Sequence, residues 1–287
     1  MTGTDLPAKR RMSNRRARVI AAVIMAPIAI ASVLLLPSEF FAALVAALMM
    51  LGLWEWTLLA GLRSRVSRAA FLVVNAALMA FLVWGAGREL VIFKLVSLLG
   101  ALWWLLVPLW LIRFRFAAAD NFWSRTLKLF AGTACVIPAW AAISWLHASP
   151  ANGPGWALFA LLIVWMADSG AYFVGVRFGK HKLAPRISPG KSWEGFFGGL
   201  LAVVLLAVIA LSFLGLEWTS LPDLLLLTVV TALFSVAGDL FESLLKRHAG
   251  AKDSSHLIPG HGGVLDRVDS LLAALPVFVV GKEWLGL

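Results

Sequence analysis

The sequence predicts an all-α fold: a polytopic transmembrane helical bundle of about eight or nine spans, with its N-terminus in the cytoplasm. Three observations predict it. Hydrophobic residues make up 61% of the chain and charged residues 14%, whereas a soluble domain is nearer half apolar and a quarter charged. The apolar residues fall in runs close to the roughly 20 residues that cross a bilayer. The basic residues are concentrated in alternate connections between those runs.

The elements follow in order. Residues 1–18 form a basic cytoplasmic segment with Lys9, Arg10, Arg11, Arg15, Arg16 and Arg18. The first apolar run, 19–36, is longer than the apolar core of a cleaved leader, about 7–15 residues. A Pro37-Ser38 turn leads from it straight into a second run, so both are read as retained spans. Helices are expected near 39–61, 69–85, 90–112, 127–147, 155–176, 195–215 and 222–245. A last apolar run, 271–280, is short enough to be either a span or a half-inserted segment. The chain divides into the basic segment 1–18, N-terminal transmembrane helices over 19–150, and a C-terminal region over 151–287 that carries the polar motifs. No hydrophilic block is large enough for a separate soluble domain.

Orientation comes from charge. Of the 25 Lys and Arg residues, all but Arg88, Lys94 and Lys282 lie in the N-terminus or in alternate connections. These hold Arg63, Arg65 and Arg68; Arg113, Arg115, Arg125 and Lys128; Arg177, Lys180, Lys182, Arg186 and Lys191; and Lys246, Arg247, Lys252 and Arg267. Basic connections stay in the cytoplasm. Most of the net charge of +10 is therefore topology, which argues against nucleic acid as a partner. Tryptophans near the predicted ends (Trp54, Trp56, Trp103, Trp104, Trp110, Trp123, Trp193) read mostly as interfacial anchors. The sole cysteine, Cys135, excludes an intrachain disulfide and a cysteine-rich zinc site, and reads as packing.

Acids within membrane helices are costly and mark function. Asp168 heads a helical face continued by Ala171, Tyr172, Gly175 and Gly179, small enough for close helix approach. The following loop holds Ser188, Lys191 and Ser192 but lacks P-loop glycine spacing, so it reads as a basic loop offering Ser188, Lys191 and backbone N–H groups to a phosphate. At the end of the eighth run Asp239, Glu242, Ser243 and Lys246 share a face, with Glu242 and Lys246 spaced as an i,i+4 ion pair. The polar stretch then runs through Arg247, Lys252, Asp253, His261, Gly262, Gly263, Asp266, Arg267 and Asp269. Hard oxygen ligands without thiols suit Mg²⁺. Cations beside carboxylates suit a phosphorylated, metal-bound substrate.

The pattern Ser243-x-x-Lys246-Arg247, Lys252-Asp253, Pro259-x-His261-Gly262-Gly263-x-x-Asp266-Arg267-x-Asp269 resembles the signature of the phosphatidate cytidylyltransferases, or CDP-diacylglycerol synthases. Asp168-x-x-Ala171-Tyr172-x-x-Gly175, Ser188-Pro189-x-Lys191-x-x-Glu194-Gly195 and Gly238-Asp239-x-x-Glu242-Ser243 extend the resemblance over the C-terminal half. In the N-terminal half only Glu55, between Trp54 and Trp56, adds to it.

The resemblance implies transfer of CMP from CTP to phosphatidate, giving CDP-diacylglycerol and pyrophosphate. It also implies Mg²⁺, with room for a second, monovalent cation, and a homodimer in the cytoplasmic membrane whose active site faces the cytoplasm. Metal binding carries over to Asp239 and Asp266, with Asp269 as a third candidate. Lys246, Arg247 and Lys252 are expected to take the triphosphate. Arg267, Ser188 and Lys191 are expected to take the lipid phosphate or nucleotide, and Asp168 to orient a partner. Glu242, Ser243 and His261 complete the substrate side, with Gly262 and Gly263 letting backbone approach it.

Rival readings are a CTP-dependent polyprenol kinase of the dolichol type, a secondary transporter and a CDP-alcohol phosphotransferase. A kinase would benefit from a general base for its alcohol. A transporter should show repeats and midplane sites, and the chain shows no repeat of the Asp239–Asp269 pattern. The acidic motif expected of a CDP-alcohol phosphotransferase is absent from the sequence.

Overall fold

The computed structural model describes residues 25–86, 91–255, 257 and 262–287. The basic segment 1–18, the start of the first run, Arg88 and His261 lie outside the described residues. The described chain forms α1 Met25–Leu35, α2 Ser38–Leu59, α3 Arg65–Ala86, α4 Val91–Ile112, α5 Phe122–His147, α6 Gly153–Phe178, α7 Trp193–Leu214, α8 Leu221–His248 and α9 Leu265–Leu285. Of these, α2 to α8 are the seven helices long and apolar enough to cross a membrane.

Helix ends follow local chemistry. Asn121 caps α5, accepting from Ser124 N at 2.8 Å. That starts the helix before its apolar run. Ser192 caps α7 by accepting from Gly195 N at 3.2 Å. Pro154 and Pro222 stand in the first turns of α6 and α8, where a missing N–H costs nothing. Gly215 and Gly286, with φ of 70° and 69°, end α7 and α9.

Two expectations need correction. The fold is not purely α. Between α6 and α7 the chain makes an antiparallel hairpin, β1 Lys182–Ala184 and β2 Ser188–Ser192, pairing Lys182 with Ser192 and Ala184 with Ser188. Glu194 closes its base, accepting from Lys180 N and His181 N and pairing with His181 Nδ1 at 2.6 Å. Second, Trp56, Trp104 and Trp110 are not surface anchors. They are buried and surround Phe241 at centroid distances of 6.0, 5.9 and 5.2 Å. Their indole N–H groups donate to Lys128 O, Leu272 O and Phe116 O, so full burial leaves no donor unsatisfied. Cys135 is buried, as expected, with Trp103 Nε1 at 3.3 Å.

The α6–α7 seam is made by small residues. A side chain at Gly195 or Gly199 would meet Ala171 O at 2.7 Å or Ala167 O at 2.6 Å, and Gly170 faces Gly198 O at 2.8 Å. In α8, Gly238 lets the Asp269 carbonyl approach to 2.6 Å from where a Cβ would stand. The basic connections meet at one end of the bundle: Arg247 Nε donates to Ile187 O at 3.1 Å, and His248 Nε2 is 2.6 Å from Phe114 O. At the other end Ser38 Oγ lies 2.9 Å from His147 Nδ1, and Lys94 pairs with Glu283.

Overpacking a close helix contact costs about 1–3 kcal/mol. Gly199→Val should therefore lower the melting temperature of the detergent-solubilised protein by several degrees. Gly190→Ala, with nothing within 4 Å of its added carbon, should leave it unchanged; equal melting of all three proteins would refute the close packing of this seam.

Candidate active site

The polar residues fall into two adjoining groups. The first is built on Glu55, deep in α2 at 1% exposure. Its Oε1 accepts from Val264 N at 3.0 Å and Ser255 Oγ at 2.5 Å; its Oε2 accepts from Leu265 N and Ser254 Oγ, both at 2.8 Å. The first N–H groups of a helix lack partners within it. Glu55 supplies them from another helix, and its charge opposes the positive end of the α9 dipole.

Asp266 belongs to the same group. Its Oδ2 accepts from Gly263 N at 2.8 Å and Ser254 N at 3.0 Å and shares the single Ser254 Oγ proton with Glu55, lying 2.9 Å from that oxygen, and its Oδ1 meets Lys246 Nζ at 2.7 Å. Burial pushes the Asp266 carboxyl up, but Lys246 and the N–H groups of Gly263 and Ser254 outweigh it and hold the group below the ordinary carboxylate range. Lys246 also pairs with buried Glu242, whose Oε1 meets no hydrogen-bond donor among the described residues.

The glycines follow from this packing. Gly262 has φ +84°, and a side chain on Gly263 would collide with Ser254 Oγ and Glu55 Oε2. Both let the loop fold closely against the carboxylates of Asp266 and Glu55.

The second group faces a cavity of ≈ 370 Å³ between α6, α7, α8 and the hairpin. Asp168, Lys191 and Asp239 line its polar end, and Phe196, Leu200 and Val236 its apolar wall. Lys191 Nζ lies 2.7 Å from Asp239 Oδ2, and Ser243 Oγ donates to Asp239 Oδ1 at 3.2 Å. Asp168 lies within electrostatic reach of Asp239, Lys191 and Arg267, and Asp269 within reach of Asp239 and Asp168. The cavity is also lined by Tyr172 and Val176, which are 66% and 72% exposed on the apolar outer face. It therefore opens sideways where lipid would lie.

The remaining candidates are dispersed. Ser188 pairs with Ala184 in the hairpin. Arg247 is committed to Ile187 O. Lys252 and Asp253 are exposed in the α8–α9 connection. Sequence reasoning missed Ser254 and Ser255 altogether and noticed Glu55 only as a local match. The available signal was the cost of an acid inside an apolar helix.

Among the described residues no three Asp, Glu, His or Cys side chains converge closely enough to hold an ion by themselves. The donor set nonetheless fits Mg²⁺. It offers oxygen ligands only, a buried Glu242 oxygen without a donor, and Asp239 and Asp269 within reach of each other. Mg²⁺ sites usually take one or two carboxylates and complete the shell with substrate phosphates and water.

Hydrogen bonds to a buried charge are worth about 1.5–3 kcal/mol each. Glu55→Gln places an amide N–H₂ against N–H donors, and should speed hydrogen exchange at 253–266 while leaving α6 at its wild-type rate. Unchanged exchange in that segment would refute the clamp.

A sequence model of the cytidylyltransferase family matches residues 16–283. A phosphatidate cytidylyltransferase of Pseudomonas aeruginosa is 41% identical over 263 residues, covering 91% of this chain and 94% of the relative. One from Haemophilus influenzae is 39% identical over 285 residues, covering 91% and 96%. One from Staphylococcus epidermidis is 47% identical over 133 residues, covering 46% of this chain and 51% of the relative. The chain carrying this paired-carboxylate cavity belongs to the cytidylyltransferase family.

Proposed function

We propose that this chain is a phosphatidate cytidylyltransferase that transfers CMP from CTP to phosphatidate at the cytoplasmic face of the cytoplasmic membrane. One observation carries the reading: a single cavity has the Lys191–Asp239 pair at its polar end, apolar walls, and a lateral opening onto the lipid-facing surface of α6. A lipid phosphate needs all three. Family membership and the names of the relatives support it.

A phosphatidate oxygen attacks the α-phosphorus of CTP. A new P–O bond to the lipid phosphate forms, the bond between the α-phosphorus and its bridging oxygen to the β-phosphate breaks, and pyrophosphate leaves. A phosphate monoester has a second pKa of about 6, so the nucleophile is already ionised at neutral pH and needs no general base. The barrier is repulsion between polyanions, which fixed cations and positioning reduce.

Lys191, held at the cavity by Asp239, takes the lipid phosphate; Arg267 and Lys252 meet the nucleotide. Asp239 and Asp269 would hold Mg²⁺, with Asp168 beside them. When bound, the ion supplies charge neutralisation for the CTP phosphates. Asp266, Lys246 and Arg247 also belong to the machinery, but their contacts favour holding the 252–267 segment and the hairpin in place over direct substrate binding. Glu242 and Ser243 set the charge and orientation of Lys246 and Asp239. The second, monovalent cation and the homodimer remain part of the proposal on the resemblance alone. A cytoplasmic N-terminus is supported by the basic connections lying together at one end of the bundle.

With purified protein, phosphatidate, Mg²⁺ and CTP labelled at the α-phosphate, label should appear in lipid as pyrophosphate is released. CDP with unlabelled lipid would establish γ-phosphoryl transfer in its place. Asp239→Asn and Asp269→Asn should each lower kcat about 100-fold or more and raise the Mg²⁺ concentration for half-maximal rate. Wild-type turnover of both at limiting Mg²⁺ would remove the metal assignment.

A further inference from the structure

We propose that the surface where α4 meets α5 and the hairpin is a second lipid site, which takes an anionic phospholipid of the membrane and is separate from the reaction cavity. Arg113 and Arg115, in the α4–α5 connection, and Arg186, in the hairpin turn, line one open surface depression with Ile112, Phe114 and Phe116. The three arginines come from segments some 70 residues apart in sequence. No acidic residue lines the depression, and among the described residues none of the three forms an ion pair with a carboxylate. Guanidinium groups match phosphate oxygens through paired N–H donors.

The tail has a place too. A cavity of ≈ 220 Å³ shares Arg113 and Phe116 with the depression and runs over Trp103, Leu106, Leu109 and Leu127. Leu106 and Leu109 are 57% and 61% exposed, on the outer face of a membrane helix. A basic head pocket continuous with an apolar groove is the shape and polarity of a phospholipid, and a free phosphate would have no use for the groove.

The connection is held in shape. Trp110 Nε1 donates to Phe116 O at 3.1 Å, His248 Nε2 lies 2.6 Å from Phe114 O, and Ala117 takes a left-handed φ of 56°. Keeping basic residues cytoplasmic requires only their side of the membrane. It does not require three arginines to gather at the mouth of an apolar groove. None of the three arginines lines the reaction cavity, whose wall the hairpin forms through Leu183, Gly190 and Lys191.

Native mass spectrometry of the full chain, given equimolar phosphatidylglycerol and phosphatidylcholine of the same acyl chains, tests this. Wild type should retain phosphatidylglycerol preferentially. Arg113→Gln, Arg115→Gln and Arg186→Gln combined should cut that retention about tenfold or more, since each arginine near an anionic surface adds to the attraction. Leu106→Trp, filling the groove, should lower it as well. Arg63→Gln, Arg65→Gln and Lys180→Gln combined, an equal loss of charge elsewhere, should retain it. Equal retention by the first variant, equal loss in the control, or displacement of the lipid by inorganic pyrophosphate would overturn the site. The first variant should turn over phosphatidate in phosphatidylcholine micelles at the wild-type rate; a fall would assign the arginines to the reaction itself and also overturn it.

Discussion

Glu55 is a carboxylate buried in an apolar helix, and four donors from the 254–265 segment converge on its two oxygens. An unpaired charge there would be prohibitively costly, so the contact forms fully or the helices do not pack as they do. Its consequence is positional. The start of α9 is tied to α2, and with it Asp266, Arg267 and Asp269, all within the first turns of α9. Through this carboxylate the N-terminal half holds the start of α9 in place.

Around that anchor the carboxylates divide by what they touch. Asp266 is saturated by Lys246, Ser254 and Gly263, and behaves as the keystone of a loop. Asp239 and Asp269 lie near each other because Gly238 lets α9 backbone approach α8. Negative charge collected in one place beside only a few cations is unfavourable in the free protein and favourable once a cation and phosphates arrive. That is the electrostatic condition for binding a metal with a polyphosphate.

The seam between α6 and α7 and the hairpin after it form the apolar side of the cavity. Small residues bring the two helices so close that their outer faces flare into an apolar cleft beneath Lys191. The hairpin is pinned at its base by Glu194 and on its flank by Arg247, which fixes the height of Lys191 relative to Asp239. A soluble nucleotide and a bilayer lipid can meet only where polar and apolar surfaces share an edge, and this cavity has that edge.

Much of this was legible in the sequence. Composition and run length dictate a membrane bundle, and the helix bounds of α6, α7 and α8 lie within about three residues of expectation. The spacing of Asp239, Glu242, Ser243 and Lys246 places them on one face because helix period is a local property. The expected Glu242–Lys246 pair is present for the same reason. What tertiary structure decided is partnership. Hydropathy could not extend α9 back over Asp266, Arg267 and Asp269, because the helix start there is satisfied by Glu55, some 200 residues away in the chain, and Asp266 by Lys246, Ser254 and Gly263. It placed Trp56, Trp104 and Trp110 at an interface because no local signal tells an anchoring indole from one whose N–H finds a carbonyl in another helix. The resemblance put Asp239 and Asp266 ahead of Asp269, since sequence counts carboxylates but does not say that Asp266 is already held by Lys246, Ser254 and Gly263. Local periodicity determined the elements and their faces; long-range hydrogen bonding and charge compensation decided which acids hold the protein together and which are left facing the cavity.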